Sequence, residues 1–231
     1  MHRTIGILGG LSPESTVTYY HHIVQRYHAL VGDQSYPDIV IYSVSFQRFM
    51  DWMAHDQWEP ITTALITALQ GLSAAGAAFA VIATNTMHIV FDEVRDASPI
   101  PLLSIIDATA AAIQAAGLTT VGLLGTRFTM EKAFYRRGLA KQGIDVIIPD
   151  KPDRDDINRI VFDELARGVL NSASRDAFLR IIHDLTDRGA QGIVLGCTEI
   201  PLLVTPQHTP VTLFNTATIH AEQALAYALA P

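Results

Sequence analysis

The 231-residue sequence predicts an α/β protein of two similar halves, each a parallel sheet covered by helices. Three observations carry that expectation. Short apolar runs rich in β-branched residues alternate with longer helical stretches, the pattern of βαβ units. The strand runs are continuously apolar rather than alternating, as for strands buried on both faces. Two blocks of sequence recur in the same order about half a chain apart.

Taken from the N-terminus, residues 4–8 (TIGIL) form the first expected strand, and Gly9-Gly10 make the turn that leaves it. Ser12-Pro13 places a cap residue ahead of a first-turn proline, which opens a helix over 14–30. A strand at 39–44 follows. The stretch 47–56, with Trp52 and Trp58 nearby, reads either as a lid or as packing. A helix over 60–74, strands at 80–83 and 102–105, and a helix over 108–116 come next. Beyond them lie a strand at 120–124, a helix over 130–141, a strand at 146–148 and helices over 155–167 and 175–187. Strands at 192–195 and 211–214 and a helix over 216–228 close the chain.

The repeat pairs TIGILGG at 4–10 with TVGLLGT at 120–126, and GAAFAVIATNT at 76–86 with GAQGIVLGCTE at 189–199. Duplicated halves related by a pseudo-two-fold axis would face each other across a cleft. The expected division is 1–103 plus 214–231 for the first half and 104–213 for the second.

Composition narrows the function. Hydrophobic residues make up 49% of the chain, ample for a core. The net charge is −7 and no basic stripe occurs, which argues against nucleic acid. An anionic substrate would need local attraction that overcomes the global field. No signal-like apolar core follows Met1, and no apolar run approaches the roughly 20 residues of a membrane span. A cytoplasmic chain is expected. The lone cysteine, Cys197, excludes an internal disulfide and is either core filler or a reactive thiol. The three lysines, Lys132, Lys141 and Lys151, avoid the strand ends where a pyridoxal Schiff base would form. Nine histidines show no HxH or HExxH pairing. Neither a cofactor nor a metal is expected.

Ligands of parallel sheets sit beyond the carboxyl ends of the strands. Four ends stand out: Gly9-Gly10, Thr84-Asn85-Thr86, Gly125-Thr126 and Cys197-Thr198-Glu199. The repeat makes Thr84 and Cys197 equivalent, so each half offers one proton carrier to the cleft. Helix N-termini are expected there, with free N–H groups for a carboxylate. A thiol ionises near 8.5 and a helix N-terminus lowers that value, which makes Cys197 a plausible base. An alcohol is a far weaker acid, so Thr84 needs help. His88, four residues on, is a possible relay, and Glu199 is one for Cys197. Gly10, Ser12 and Thr126, at the turns leaving their strands, are candidate substrate contacts.

GGLSPEST at 9–16, ATNTMH at 83–88, LLGT at 123–126 and LGCTEI at 195–200 resemble the aspartate/glutamate racemase family in this order, over essentially the whole chain. The resemblance implies two flavodoxin-like halves with the active site between them. It implies cofactor-free racemisation of acidic amino acids, one acid/base residue per half and a homodimer. It further implies that Asn85, Thr86 and Thr198 bind the α-carboxylate. Most of the family has cysteine where this chain has Thr84. GTRFTME at 125–131 and FNTATIHAE at 214–222 resemble a branch specific for L-aspartate and L-glutamate, which has the same threonine. A second carboxylate on the substrate calls for arginine's fork. Arg48, after a strand end, is the first candidate. Arg167, near a position where relatives carry a basic residue, is the second.

Two other functions fit the same residues. A decarboxylase of substituted malonates, also in the family, needs only the second-half cysteine. A non-catalytic small-acid binding protein would use the same cleft without chemistry. Hydantoin racemases, closer relatives, are expected to keep both thiols.

Overall fold

Eight strands among the described residues, 2–230 of the computed structural model, fall into two parallel sheets of the same order. The first holds β1 (Ile5–Gly9), β2 (Ile39–Ser43), β3 (Phe79–Ile82) and β4 (Leu102–Leu103) in the order β2-β1-β3-β4. The second holds β5 (Thr120–Gly125), β6 (Asp145–Ile147), β7 (Gly192–Gly196) and β8 (Thr212–Asn215) in the order β6-β5-β7-β8. The duplicated sequence is thus duplicated topology, with β1 matching β5 and β3 matching β7.

The chain divides into two compact units. One runs to Ile105 and takes back the chain from Ala217; the other is Ile106–Thr216. The first unit carries the helices α1 (Pro13–Val31), α2 (Phe46–Ala54), α3 (Trp58–Ala74) and α4 (Phe91–Asp96). The helix α5 (Ile105–Ala115) opens the second. It continues through α6 (Arg127–Glu131), α7 (Ala133–Ala140), α8 (Lys151–Asp163), α9 (Ser172–Asp187) and α10 (Ile200–Leu203). Helix α11 (Thr216–Leu229) returns to the first unit, where Ala217, Ala221 and Ala224 lie in one cluster with Ile5, Ile7, Tyr19 and Phe79. Small residues on that face of α11 bring the helix close to the sheet. The second unit buries Leu124, Ile160, Phe178, Ile181, Ile193 and Leu195 together. Each such side chain contributes roughly 1.5–3 kcal/mol relative to exposure.

Several local expectations change. β2 is an edge strand, so Ile41 and Tyr42 are exposed rather than buried on two faces. The helix expected over 130–141 is two helices broken at Lys132, whose backbone is extended. Thr126 explains the early start of α6: its hydroxyl accepts from the Thr129 N–H at 3.4 Å and caps the helix directly on the strand end. Helix α8 starts at Lys151 with Pro152 in its first turn, ahead of the expected 155. The 47–56 stretch is mostly α2, packed through buried Phe49 and Met53. Among the described residues no helix is long and apolar enough to cross a membrane.

Candidate active site

In each sheet the strand order reverses between the two central strands, and the crevice at that reversal is where parallel sheets take ligands. In the first unit it lies between the ends of β1 and β3, in the second between those of β5 and β7.

Gly10 leaves β1 with φ 81°, and a Cβ there would lie 2.1 Å from the Val44 carbonyl oxygen. Only glycine fits both the left-handed backbone and that approach. The Gly10 N–H donates to the Thr16 hydroxyl at 2.8 Å, and that hydroxyl donates to the Ser12 carbonyl at 3.1 Å. Ser12 caps α1, its hydroxyl accepting from the Ser15 N–H at 3.4 Å. The Ser15 hydroxyl crosses to β3 and donates to the Ala83 carbonyl. Thr84 follows, buried, and its hydroxyl has no hydrogen-bond partner among the described residues. Asn85 and Thr86 are buried beside it.

The second unit builds its crevice on paired glycines. Gly125 of β5 and Gly196 of β7 are in register, and a Cβ on Gly196 would lie 2.9 Å from the Leu124 carbonyl oxygen. Cys197 follows. Its Sγ donates to Glu199 Oε2 at 2.9 Å, and the Thr198 hydroxyl donates to the same oxygen at 2.9 Å. Glu199 is itself 5% exposed. Burial raises the Cys197 thiol well above its ordinary pKa, and the Glu199 charge and hydrogen bond raise it further.

That overturns the expectation of a thiol made acidic by a helix N-terminus. A 3₁₀ helix, Thr86–Val90, follows Thr84, and the four-residue α10 follows Cys197, so neither motif opens a long helix. His88 also departs from expectation. Its Nδ1 lies 3.0 Å from the carbonyl of Thr84, not from its hydroxyl, and its Nε2 accepts from the Ile105 N–H at 3.1 Å. With both ring nitrogens on backbone groups, His88 is not placed to relay a proton to the hydroxyl. Glu199, by contrast, does contact the thiol it was expected to serve.

Arg48 lies on α2, just past β2, exposed and without a carboxylate partner among the described residues. Its guanidinium sits 5.1 Å from the Trp52 ring centroid, a cation–π contact that restrains it. Arg167 ends the 3₁₀ helix Leu165–Arg167, is exposed, and precedes the left-handed Gly168. Leu165 of that turn packs in one cluster with Ile200 and Leu203 of α10, which ties the Arg167 segment to the Cys197 motif. Sequence reasoning missed Ser15, Thr16 and His220, all buried. Ser15 and Thr16 were legible as first-turn hydroxyl residues behind a capped strand exit; His220 lay inside the FNTATIHAE motif, with nothing local to mark its partners Tyr19 and Leu103. Among the described residues no group of three or more His, Cys, Asp or Glu could hold a metal ion.

Residues 8–224 match the Asp/Glu/Hydantoin racemase family. The chain belongs to this racemase family. It is 24% identical over 230 residues to the broad specificity amino-acid racemase RacX of Bacillus subtilis, covering 98% of each chain. A solved structure from Yersinia pestis, described as a candidate Asp/Glu racemase, shares 45% identity with a TM-score of 0.93, over 99% of this chain and 100% of the other. An aspartate racemase homologue from Pyrococcus horikoshii shares 37% identity with a TM-score of 0.87, over 99% of both. Both four-stranded units of this racemase chain therefore fall within the likeness, including the ends of β3 and β7 that carry Thr84 and Cys197.

Proposed function

We propose that the chain racemises acidic amino acids, aspartate or glutamate, by two-base proton transfer at Cα without a cofactor. Thr84 and Cys197 act on opposite faces of the substrate carbon. The observation that carries the reading is the thiol–carboxylate pair of Cys197 and Glu199 at the end of β7, set against the unpartnered Thr84 hydroxyl at the matching end of β3.

The thiol is protonated at rest. To act, Sγ passes its proton to Glu199 Oε2, and the resulting thiolate takes the Cα proton. The ammonium group of a bound amino acid favours that ionised form by Coulomb attraction. Thr84 has no equivalent base, so its half donates to the carbanion more readily than it abstracts. Asn85, Thr86 and Thr198 hold the α-carboxylate, with Gly10, Ser12 and Thr126 around it. Arg48 or Arg167 takes the side-chain carboxylate.

Loss of the Cα–H signal from each enantiomer of aspartate and glutamate, followed by proton NMR in deuterated water, tests the proposal. Wild type should wash out one enantiomer fast and racemise slowly. Cys197→Ala should keep binding and lose that wash-out. Absence of wash-out from all four substrates, or carbon dioxide release from a substituted malonate instead, overturns it.

A further inference from the structure

The first unit buries two histidines that the proposed chemistry does not use. His88 and His220 are 3% and 0% exposed, and their rings meet edge to face with centroids 6.2 Å apart. His88 is sandwiched on its other side by Phe91, stacked at 4.8 Å. Chemistry fixes the tautomers. The Ile105 N–H donates to His88 Nε2, so in the neutral ring the proton is on Nδ1, which donates to the Thr84 carbonyl. His220 has the opposite arrangement. Its Nε2–H donates to the Leu103 carbonyl at 3.1 Å, and its Nδ1 accepts from the Tyr19 hydroxyl at 2.8 Å. Burial holds both rings near a pKa of about 3, so neither takes up a second proton in the neutral range.

The bond to the Thr84 carbonyl completes a clamp. The Ala83 N–H donates to the Leu8 carbonyl at 2.9 Å and the Thr84 N–H to the Ile82 carbonyl at 2.8 Å. Ser15 holds the Ala83 carbonyl. Each backbone donor and acceptor of Ala83 and Thr84 is therefore engaged. Threonine is β-branched, with few χ1 choices, so fixing its backbone confines its hydroxyl to few positions.

We infer that His88 is a positioning residue for Thr84: its Nδ1–H holds the Thr84 carbonyl, and the Tyr19–His220 pair behind it keeps the ring in place. The inference rests on the proposed role of Thr84 as one of two acid/base groups. It assigns His88 to aiming the hydroxyl rather than to moving protons.

Two substitutions separate that role from general packing. The amide nitrogen of asparagine can take the place of Nδ1, and the amide oxygen of glutamine can take the place of Nε2. His88→Asn can keep the bond to Thr84 and lose that to Ile105; His88→Gln does the reverse. Wash-out of each enantiomer is measured in deuterated water, with the Thr84 side defined as the one lost in Thr84→Ala. In His88→Gln, wash-out on that side should fall by about 10²-fold, the usual effect of misplacing a reacting group by about 1 Å. In His88→Asn it should stay within a few-fold of wild type, and the Cys197 side should change little in either. Equal losses in the two variants, or losses on both sides together, overturn the inference. Should neither variant fold, Tyr19→Phe serves, with a smaller fall confined to the Thr84 side expected. Nitrogen-15 NMR of the wild-type rings gives a check free of activity. His88 should carry its proton on Nδ1 between about pH 5 and pH 8, and a ring protonated on Nε2 or titrating in that window refutes the inference. If Thr84→Ala loses neither enantiomer, the racemase assignment of Thr84 fails, and the inference with it. Selective loss in Thr84→Ala with no difference between the His88 variants sinks the inference alone.

Discussion

Mild acid should destabilise this protein through two buried histidines. His88 and His220 are held near a pKa of about 3 by burial, against an ordinary 6.5. In the unfolded chain both gain protons as the pH drops below that ordinary value; in the folded chain neither does until far lower. Between the two values the unfolded state binds more protons, so stability falls as pH falls. Above the unfolded value the contribution is complete and flat. From about pH 7.5 to about pH 5, protonation stabilises each unfolded histidine by about 2 kcal/mol, so the pair costs the fold about 4 kcal/mol. That is a large share of the roughly 5–15 kcal/mol of a typical domain. Urea denaturation at the two pH values measures the loss, and His220→Gln isolates its source. The variant is less stable at neutral pH, but its loss on acidification should be smaller than wild type's by about 2 kcal/mol. Identical acid losses in the two proteins would refute the reasoning, because the histidines would then titrate alike in folded and unfolded states.

Three further outcomes are expected. Glu199→Gln should make the Cys197 thiol more acidic, since the carboxylate's charge and hydrogen bond both raise it. It should nevertheless slow Cys197-side wash-out by about 10²-fold or more, because the acceptor of the thiol proton is gone; alkylation rate against pH, set beside NMR wash-out, checks both. Gly10→Ala drives a Cβ into backbone 2.1 Å away and should lower stability by roughly 3 kcal/mol or more, whereas Gly143→Ala, equally left-handed but in open space, should cost about 1 kcal/mol in thermal melts. Arg48→Ala should raise KM for aspartate and glutamate by about 10- to 100-fold with a smaller change in kcat, the loss of a charge-assisted pair worth about 1.5–3 kcal/mol; unchanged KM moves the side-chain subsite to Arg167.

What could be read from the sequence was what short-range physics writes into it. Apolar runs such as Val121–Leu124 declare a buried strand, and Ser12-Pro13 a helix start. The repeat declared that Thr84 and Cys197 are equivalent, and the matching sheet orders follow from it. The environment of those residues was another matter. A cysteine just after a strand can be ionised by amide dipoles or held neutral by burial and a carboxylate; Glu199 stands two residues on in either case. In the fold its carboxylate turns back to accept from the Cys197 thiol and the Thr198 hydroxyl. His88 sits one helical turn from Thr84 in sequence, and that spacing alone does not say whether it meets the hydroxyl or the carbonyl. The deciding partner is Ile105 N–H, seventeen residues further along. His220 is 201 residues from its bonding partner Tyr19, beyond the reach of any local pattern.

On the proposed two-base mechanism, the asymmetry between the two strand ends has a thermodynamic boundary that fixes where it can be seen. Free enantiomers in water have equal free energies, so kcat/KM for interconversion must be the same in both directions, however unequal the two bases. An alcohol without a partner and a thiol backed by a buried carboxylate can therefore differ only in what happens before the carbanion is captured from the far side. If the thiol side abstracts and returns its proton many times for each donation from Thr84, one enantiomer loses its Cα–H long before optical rotation changes. Replacing Thr84 with cysteine should draw the two exchange rates together, since a thiol is the stronger acid and the better base at neutral pH. It should do so only in part, because no carboxylate stands at Thr86 to match Glu199. Removing the carboxylate at the other end as well, as Thr84→Cys with Glu199→Gln, should bring the rates closer than Thr84→Cys alone. If the double variant leaves the single variant's ratio unchanged, the carboxylate is not what distinguishes the two ends.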